Sequence, residues 1–167
     1  MPSLFFLIVI IAKRKSHNLS TGALASFLRR ASKAVGLSGD VNVLLTANQH
    51  MRRLNQQFRQ VNRPTDVLSF PSHQPIVSEK ECAGDVAISI EIAKDNAQRL
   101  GHSLQDEIKI LILHGILHLA GYDHESDDGE MAHLEDRLRR RLGLPTALIS
   151  RTHAKVLNGM VRLRKRK

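Results

Sequence analysis

The chain has 167 residues, a formal net charge of +9, and 42% hydrophobic and 25% charged residues. This length fits one domain with a substantial core, and the composition excludes a disordered, fibrous or low-complexity protein. A single cysteine, Cys82, excludes an intramolecular disulfide and is compatible with a reducing cytosol.

The positive charge is concentrated near the C-terminus. Residues 151–167 contain seven Lys or Arg and no acid, and the other 150 residues carry 18 basic and 16 acidic side chains. We therefore divide the chain into a domain at 1–150 and a basic C-terminal tail at 151–167. Such a tail is usually a solvated terminus, and it can also raise the affinity for phosphate backbones without reading their sequence.

An apolar run of nine residues, Leu4–Ala12, precedes the basic triplet Lys13-Arg14-Lys15. Nine residues are too few to span a bilayer, and a signal peptide carries its charges before the apolar run rather than after it. We predict a buried strand within residues 1–15 and no membrane partner, with a short membrane-associated anchor as the alternative.

Hydrophobic periodicity predicts helices mixed with strands along the rest of the domain. The predicted helices span 20–35, 48–58 and 91–100, then a segment that begins at Ser103, and finally 127–142; the predicted strands span 41–47, 67–70 and 84–89. Asn48 is expected to cap the second helix, whose side chains Met51, Leu54 and Phe58 face the core. The pattern predicts a single α+β domain in which a small mixed sheet packs with about five helices.

Three histidines have the spacing of a metal site in His114-Gly-Ile-Leu-His118-Leu-Ala-Gly121-Tyr-Asp-His124. Side chains four residues apart share one face of a helix, and a helix that ends at Gly121 lets the chain turn back with His124. Three imidazoles with a fourth position open are typical of a catalytic zinc site, whereas structural sites usually have four ligands that include cysteine. The stretch therefore predicts one zinc ion per chain. Its helix is apolar on most sides, so we expect it to be buried.

Gly115 separates this stretch from the zinc proteases. The protease pattern H-E-x-x-H-x-x-G-x-x-H is matched at all three histidines and at Gly121, but the protease glutamate that acts as general base is replaced by Gly115. Glycine cannot move a proton. The sequence therefore favours a metal-dependent hydrolase whose substrate is not a peptide.

Three ordered blocks of this sequence resemble the YbeY family of bacterial rRNA-maturation endoribonucleases. The blocks are 55–59 with 63–71, then 84–89, and then 114–124, which is trailed by Met131 and Glu135. The resemblance covers roughly residues 40–142, and neither the apolar start nor the basic extension after Leu144 is part of it.

The resemblance implies a cytoplasmic, zinc-dependent endoribonuclease that is specific for single strands. It implies a role on rRNA and the ribosome, in 16S rRNA 3′-end maturation and ribosome quality control. It further implies that His114, His118 and His124 bind the metal and that Arg59 is the functional arginine. A guanidinium offers paired planar donors to phosphoryl oxygens, although a surface salt bridge is the alternative role for Arg59.

The acids in these blocks are candidates for proton transfer. Asp123 is adjacent to a predicted ligand and is the preferred proton carrier, whereas Asp66 and Asp85 are expected to be turn or strand-end residues. His102 and His133 are expected at the surface. Two other functions remain open: an RNA- or ribosome-binding factor with a non-catalytic metal site, and a metalloprotease, which Gly115 disfavours.

Overall fold

The computed structural model describes residues 19–72, 81–123 and 126–146. The elements of these residues, in chain order, are α1 Thr21–Val35, β1 Asp40–Thr46, α2 Asn48–Arg59, β2 Val67–Pro71, β3 Cys82–Ser89, α3 Ile90–Leu100, α4 Leu104–Leu119 and α5 Glu130–Leu142. Five helices with a small sheet confirm the predicted α+β class. The strand predicted within residues 1–15, the tail at 151–167 and His124 lie outside the described residues.

The three described strands form a mixed sheet in the order β1-β3-β2. β3 is central: it runs parallel to β1 from Val41↔Gly84 to Thr46↔Ser89, and antiparallel to β2. Burial alternates strictly along β1, as period-two side chains require, but the last four residues of β3 are all buried. The strand predicted at 84–89 is confirmed, and its last residues are all buried because the central strand is covered on both faces.

Helix α4 runs through the middle of the core. It contacts α1, α3, α5 and two strands of the sheet, and the side chains of Ile108, Ile112 and Ile116 are fully buried. Its first turn is capped by Ser103, whose Oγ accepts a hydrogen bond from the Asp106 backbone N–H at 3.0 Å. The predicted burial of this helix is confirmed. Packing on several sides holds the residues at its C-terminal end in fixed positions.

The cap of α2 and the start of α5 differ from the prediction. Asn48 is the first residue of α2 and not its cap; its Oδ1 accepts from Ser89 Oγ at 2.6 Å, which joins α2 to the end of β3. Helix α5 begins at Glu130 and not at Asp127, because Gly129 takes a left-handed conformation at the cap position. The Asp127 carboxylate instead accepts the backbone N–H groups of Gly129 and Met131, both at 2.8 Å.

The apolar stripe of α2 is only partly covered. Met51 is fully buried and Leu54 packs against the same small cluster, but Phe58 is 58% exposed, so its predicted place in the core is wrong. Its ring contacts Phe70 of β2 edge to face, with the ring centroids 4.9 Å apart. Helical periodicity predicts which side of a helix is apolar, but not how far along the helix other elements cover that side.

Candidate metal and active site

The last turns of α4 bring two histidines together. His114 Nε2 and His118 Nε2 are 3.2 Å apart, and the two rings are inclined by 75°. Two nitrogens bound to one tetrahedral zinc, each at about 2.0–2.1 Å, would lie about 3.3 Å apart. The separation of the two nitrogens therefore fits a shared metal ion.

Glu135 of α5 orients the ring of His114. Its Oε2 lies 2.9 Å from His114 Nδ1, and its Oε1 forms an ion pair with Nη2 of the buried Arg139 at 2.7 Å. Burial raises the pKa of Glu135, but the hydrogen bond and charge of His114 together with Arg139 outweigh it and hold that pKa below its usual range. An ionised carboxylate can only accept, so Nδ1 donates, and in the neutral imidazole Nε2 then carries the lone pair that a metal requires.

The chain turns after His118 as the sequence predicts. Gly121 takes a φ of 92°, the Tyr122 N–H donates to the Leu117 carbonyl at 3.0 Å, and the Gly121 N–H donates to the His118 carbonyl at 3.0 Å. This pair of bonds is the Schellman motif that ends many helices. In the described residues no three His, Cys, Asp or Glu side chains converge as metal ligands. The third predicted ligand, His124, lies outside them and stays a prediction.

The three acids of the blocks occupy different positions. Asp123 is exposed and its Oδ2 accepts from Ser126 Oγ at 3.0 Å, in the turn that follows α4. Asp66 Oδ1 accepts from the backbone N–H of the next residue at 3.0 Å, and Asp85 Oδ1 accepts from Asn42 Nδ2 at 2.8 Å. The contacts of Asp66 and Asp85 agree with structural roles. The proposed proton transfer by Asp123 stays a prediction.

Arg59 is the last residue of α2 and is exposed. The loop after it is held by the buried Asn55, whose Nδ2 donates to the Arg63 carbonyl at 2.7 Å. The structure thus brings His114, His118 and Glu135 into contact and places Arg59 on a separate element. The sequence alone assigns no role to Glu135 or to Asn55, although Asn55 begins the first block and Glu135 trails the third.

His102 is not a surface residue. Its side chain is only 7% exposed, and its Nε2 lies 2.7 Å from Oε2 of the fully buried Glu107. A polar group can be buried when it has such a partner, and this partner lies one turn inside α4, where the local sequence does not reveal it. His133 is exposed, as expected.

Gly115 allows α4 to approach the sheet closely. A Cβ built at this position would lie 2.7 Å from Val86 Cγ1 and 3.1 Å from Ser69 Oγ, and Ser69 Oγ donates to the Gly115 carbonyl at 3.2 Å. A glutamate at this position would push the helix off the sheet. The protease base is therefore excluded by packing, and the backbone next to His114 is fixed by β2 and β3.

We expect Gly115→Ala to lower the free energy of unfolding by about 1–3 kcal/mol, because overpacking displaces the histidine helix. Gly22→Ala is the matched control: Gly22 is also helical, but a Cβ built there would meet nothing within 4 Å, so alanine should stabilise by roughly 0.5 kcal/mol. Urea unfolding of the two variants measures both values. Equal stability of the two variants would contradict the close packing of Gly115.

We expect Glu135→Gln to weaken zinc binding by about 10- to 100-fold, since a carboxylate behind a histidine ligand sets its orientation and basicity. The loss of charge beside the buried Arg139 should also lower the melting temperature. Zinc competition with a chromogenic chelator, well below the melting temperature, separates the two effects. Glu130→Gln, an exposed change on the same helix, is the control, and equal zinc affinity in both variants would remove Glu135 from the site.

The fold is an α+β domain whose buried central helix ends in two converging histidines. Comparison with known proteins finds a match to the family model of Endoribonuclease YbeY over residues 10–143. The chain is 53% identical over 144 residues to Endoribonuclease YbeY of Koribacter versatilis, covering 86% of this chain and 91% of that one. It is 45% identical over 142 residues to the Solibacter usitatus relative of the same name, covering 85% and 92%.

A solved structure agrees with these sequence matches. The solution structure of a Thermotoga maritima protein has a TM-score of 0.53 and 31% identity, and the match covers 81% of this chain and 89% of that one. The chain therefore belongs to the YbeY family of endoribonucleases, and the resemblance noted in the three blocks is confirmed. The family match also extends beyond those blocks, through α1 and into the apolar run. Among the described helices, none is long and apolar enough to cross a bilayer.

Proposed function

We propose that this chain is a zinc-dependent endoribonuclease that hydrolyses single-stranded RNA in the cytoplasm. The observation that carries the metal is the 3.2 Å separation of the two Nε2 atoms, with Glu135 behind His114. Family membership supports RNA as the substrate. The resemblance suggests that this RNA is ribosomal, and that the enzyme acts in 16S rRNA 3′-end maturation and in ribosome quality control on the ribosome.

His114, His118 and His124 are the residues that would hold the ion. A zinc ion bound there would supply a nucleophile from water at neutral pH and positive charge for a phosphoryl oxygen. Glu135 keeps the His114 ring in the tautomer that can bind the ion. The half-buried position of both described histidines limits the water around them and strengthens these interactions.

We assign the remaining steps to Arg59 and Asp123. Arg59 stabilises the negative charge that gathers on the phosphoryl oxygens, because its guanidinium can donate two parallel hydrogen bonds. Asp123, in the exposed turn after α4, exchanges the proton with solvent and the leaving oxygen. The packing of Gly115 leaves no room for the base that a metalloprotease would need.

The test combines metal analysis with cleavage of a labelled RNA oligonucleotide. The purified chain should contain about one zinc, as a single three-histidine site requires. It should cut the single strand, leave the same sequence in a duplex and leave casein intact, and lose activity on chelation until zinc is restored. Cleavage that survives complete removal of metal, or equal cleavage of duplex and single strand, would overturn the proposal.

A further inference from the structure

Arg139 is a buried cation in a helix whose other arginines are exposed. Helix α5 carries four arginines, and Arg139 is 1% exposed, whereas Arg137, Arg140 and Arg141 are exposed. Cations are favoured in the last turn of a helix because they oppose the negative end of its dipole, which accounts for a basic residue at this position but not for its burial. A guanidinium is seldom buried unless a carboxylate pairs with it. The role of Arg139 therefore depends on the groups that it contacts.

Glu135 joins Arg139 to the histidine pair. Its Oε1 lies 2.7 Å from Arg139 Nη2, and its Oε2 lies 2.9 Å from His114 Nδ1. The Glu135 side chain is only 12% exposed, so little water competes for either oxygen. With one oxygen on the guanidinium and the other on the imidazole, the carboxylate is held at both ends. Its orientation toward His114 thus depends on the position of Arg139.

A second ion pair on α5 has the same spacing but a different setting. Arg140 pairs with Asp136, also four residues earlier, and the side chain of Arg140 is 67% exposed. An ion pair whose cation lies in water contributes little. Arg139 lies in the interior, where a displaced guanidinium would leave buried charges apart, so its contact with Glu135 is strongly favoured. Arg140 is therefore the matched control for Arg139.

We infer that Arg139 is a positioning residue of the metal site: it holds the Glu135 carboxylate against His114 and thereby directs His114 Nε2 toward the ion. The inference rests on the proposed function for the metal. It extends the site beyond Glu135, into the packing of α5 against α4. It also gives a function to the burial of a cation, since groups behind a ligand that orient it contribute to metal affinity.

The zinc affinities of single variants test whether Arg139 supports the site. Arg139→Met removes the guanidinium and keeps an unbranched side chain. Measured with a chromogenic chelator well below each melting temperature, it should weaken zinc binding roughly 3- to 10-fold, less than Glu135→Gln because the carboxylate remains. Arg139→Lys keeps the charge without the planar donors and should recover part of this loss. Arg140→Met should bind zinc as wild type does.

The double variant Glu135→Gln/Arg139→Met tests whether Arg139 acts through Glu135. Without the carboxylate, loss of the guanidinium should cost no further zinc affinity, so the double variant should bind as Glu135→Gln does. If Arg139 instead only stabilised α5, Arg139→Met would lower the melting temperature and leave zinc affinity unchanged, or would weaken zinc equally in both backgrounds. Either result would overturn the inference. Where Arg139→Met fails to fold, because Glu135 keeps a buried charge, Arg139→Lys takes its place in the same comparison.

Nitrogen NMR of the His114 ring gives a readout that needs neither activity nor metal. At a pH where the imidazole is neutral, wild type should carry the ring proton on Nδ1, and Arg139→Met should show a mixture of both tautomers. Arg140→Met should keep the wild-type state, and unchanged tautomers in Arg139→Met would contradict the inference. If wild type binds no zinc, the proposed function fails, whereas the effect of Arg139 on the ring is still decided by the tautomers.

Discussion

The His118→Ala protein should lose bound zinc and RNA cleavage together while it keeps its fold. His118 is half-buried at the end of α4, and the burial of that helix depends on other side chains, such as Ile112 and Ile116, which are fully buried. Truncation therefore removes a nitrogen donor rather than a packing contact. Loss of a supporting residue behind a ligand costs about 10- to 100-fold in metal affinity, so loss of the ligand itself should exceed that range.

Three measurements on the His118→Ala protein test this prediction. Mass spectrometry gives the zinc content, the labelled single strand gives the cleavage rate, and thermal unfolding with and without zinc gives a readout that needs no activity. Zinc should raise the melting temperature of wild type and not of the variant, because an ion that binds only the folded chain stabilises it. His133→Ala, an exposed change in α5, is the control. Wild-type zinc content in His118→Ala would remove the pair from the metal site.

The histidine helix can be predicted because its features are local. Ser103 at the cap, apolar residues at helical spacing, the four-residue interval between His114 and His118, and Gly121 at the stop each follow from rules that act within one or two turns. The structure confirms the helix, its burial and its end. The strands and the other helices follow from periodicity in the same way. Their observed ends differ from the predicted ends by up to three residues. The three-residue difference is at the start of α5, where the Asp127 side chain caps the helix from outside it.

The features that the sequence does not predict depend on how elements pack against one another. Glu135 reaches His114 only because α5 lies against α4, 21 residues further along the chain. His102 is buried against the buried Glu107, and Phe58 is 58% exposed although it lies on the apolar stripe of α2. In the sequence Gly115 indicates only a missing base, whereas its packing on Val86 shows a steric reason for glycine at this position.

Arg59→Ala should reduce cleavage at saturating RNA by about 100- to 1,000-fold, the usual cost of a lost donor to a developing oxyanion. Arg59 is exposed at the end of α2, so the zinc content and melting temperature should stay near wild type. Arg59→Lys keeps the charge but loses the paired planar donors, and it should recover only part of the rate. If both variants instead lost the same share of the cleavage rate, in step with a lower melting temperature, Arg59 would be a structural residue.

Arg52→Ala is the matched comparison for Arg59→Ala. Arg52 is an exposed arginine two turns earlier on the same helix, and its Nε donates to Asn62 Oδ1 at 2.8 Å. An arginine that only attracts phosphates raises the affinity for RNA and its salt dependence, but it does not change the maximal rate of a saturated enzyme. We therefore expect Arg52→Ala to keep most of its rate at saturation, whereas zinc-replete Arg59→Ala loses it. Equal and mild losses in the two proteins would show a diffuse basic surface with no catalytic arginine.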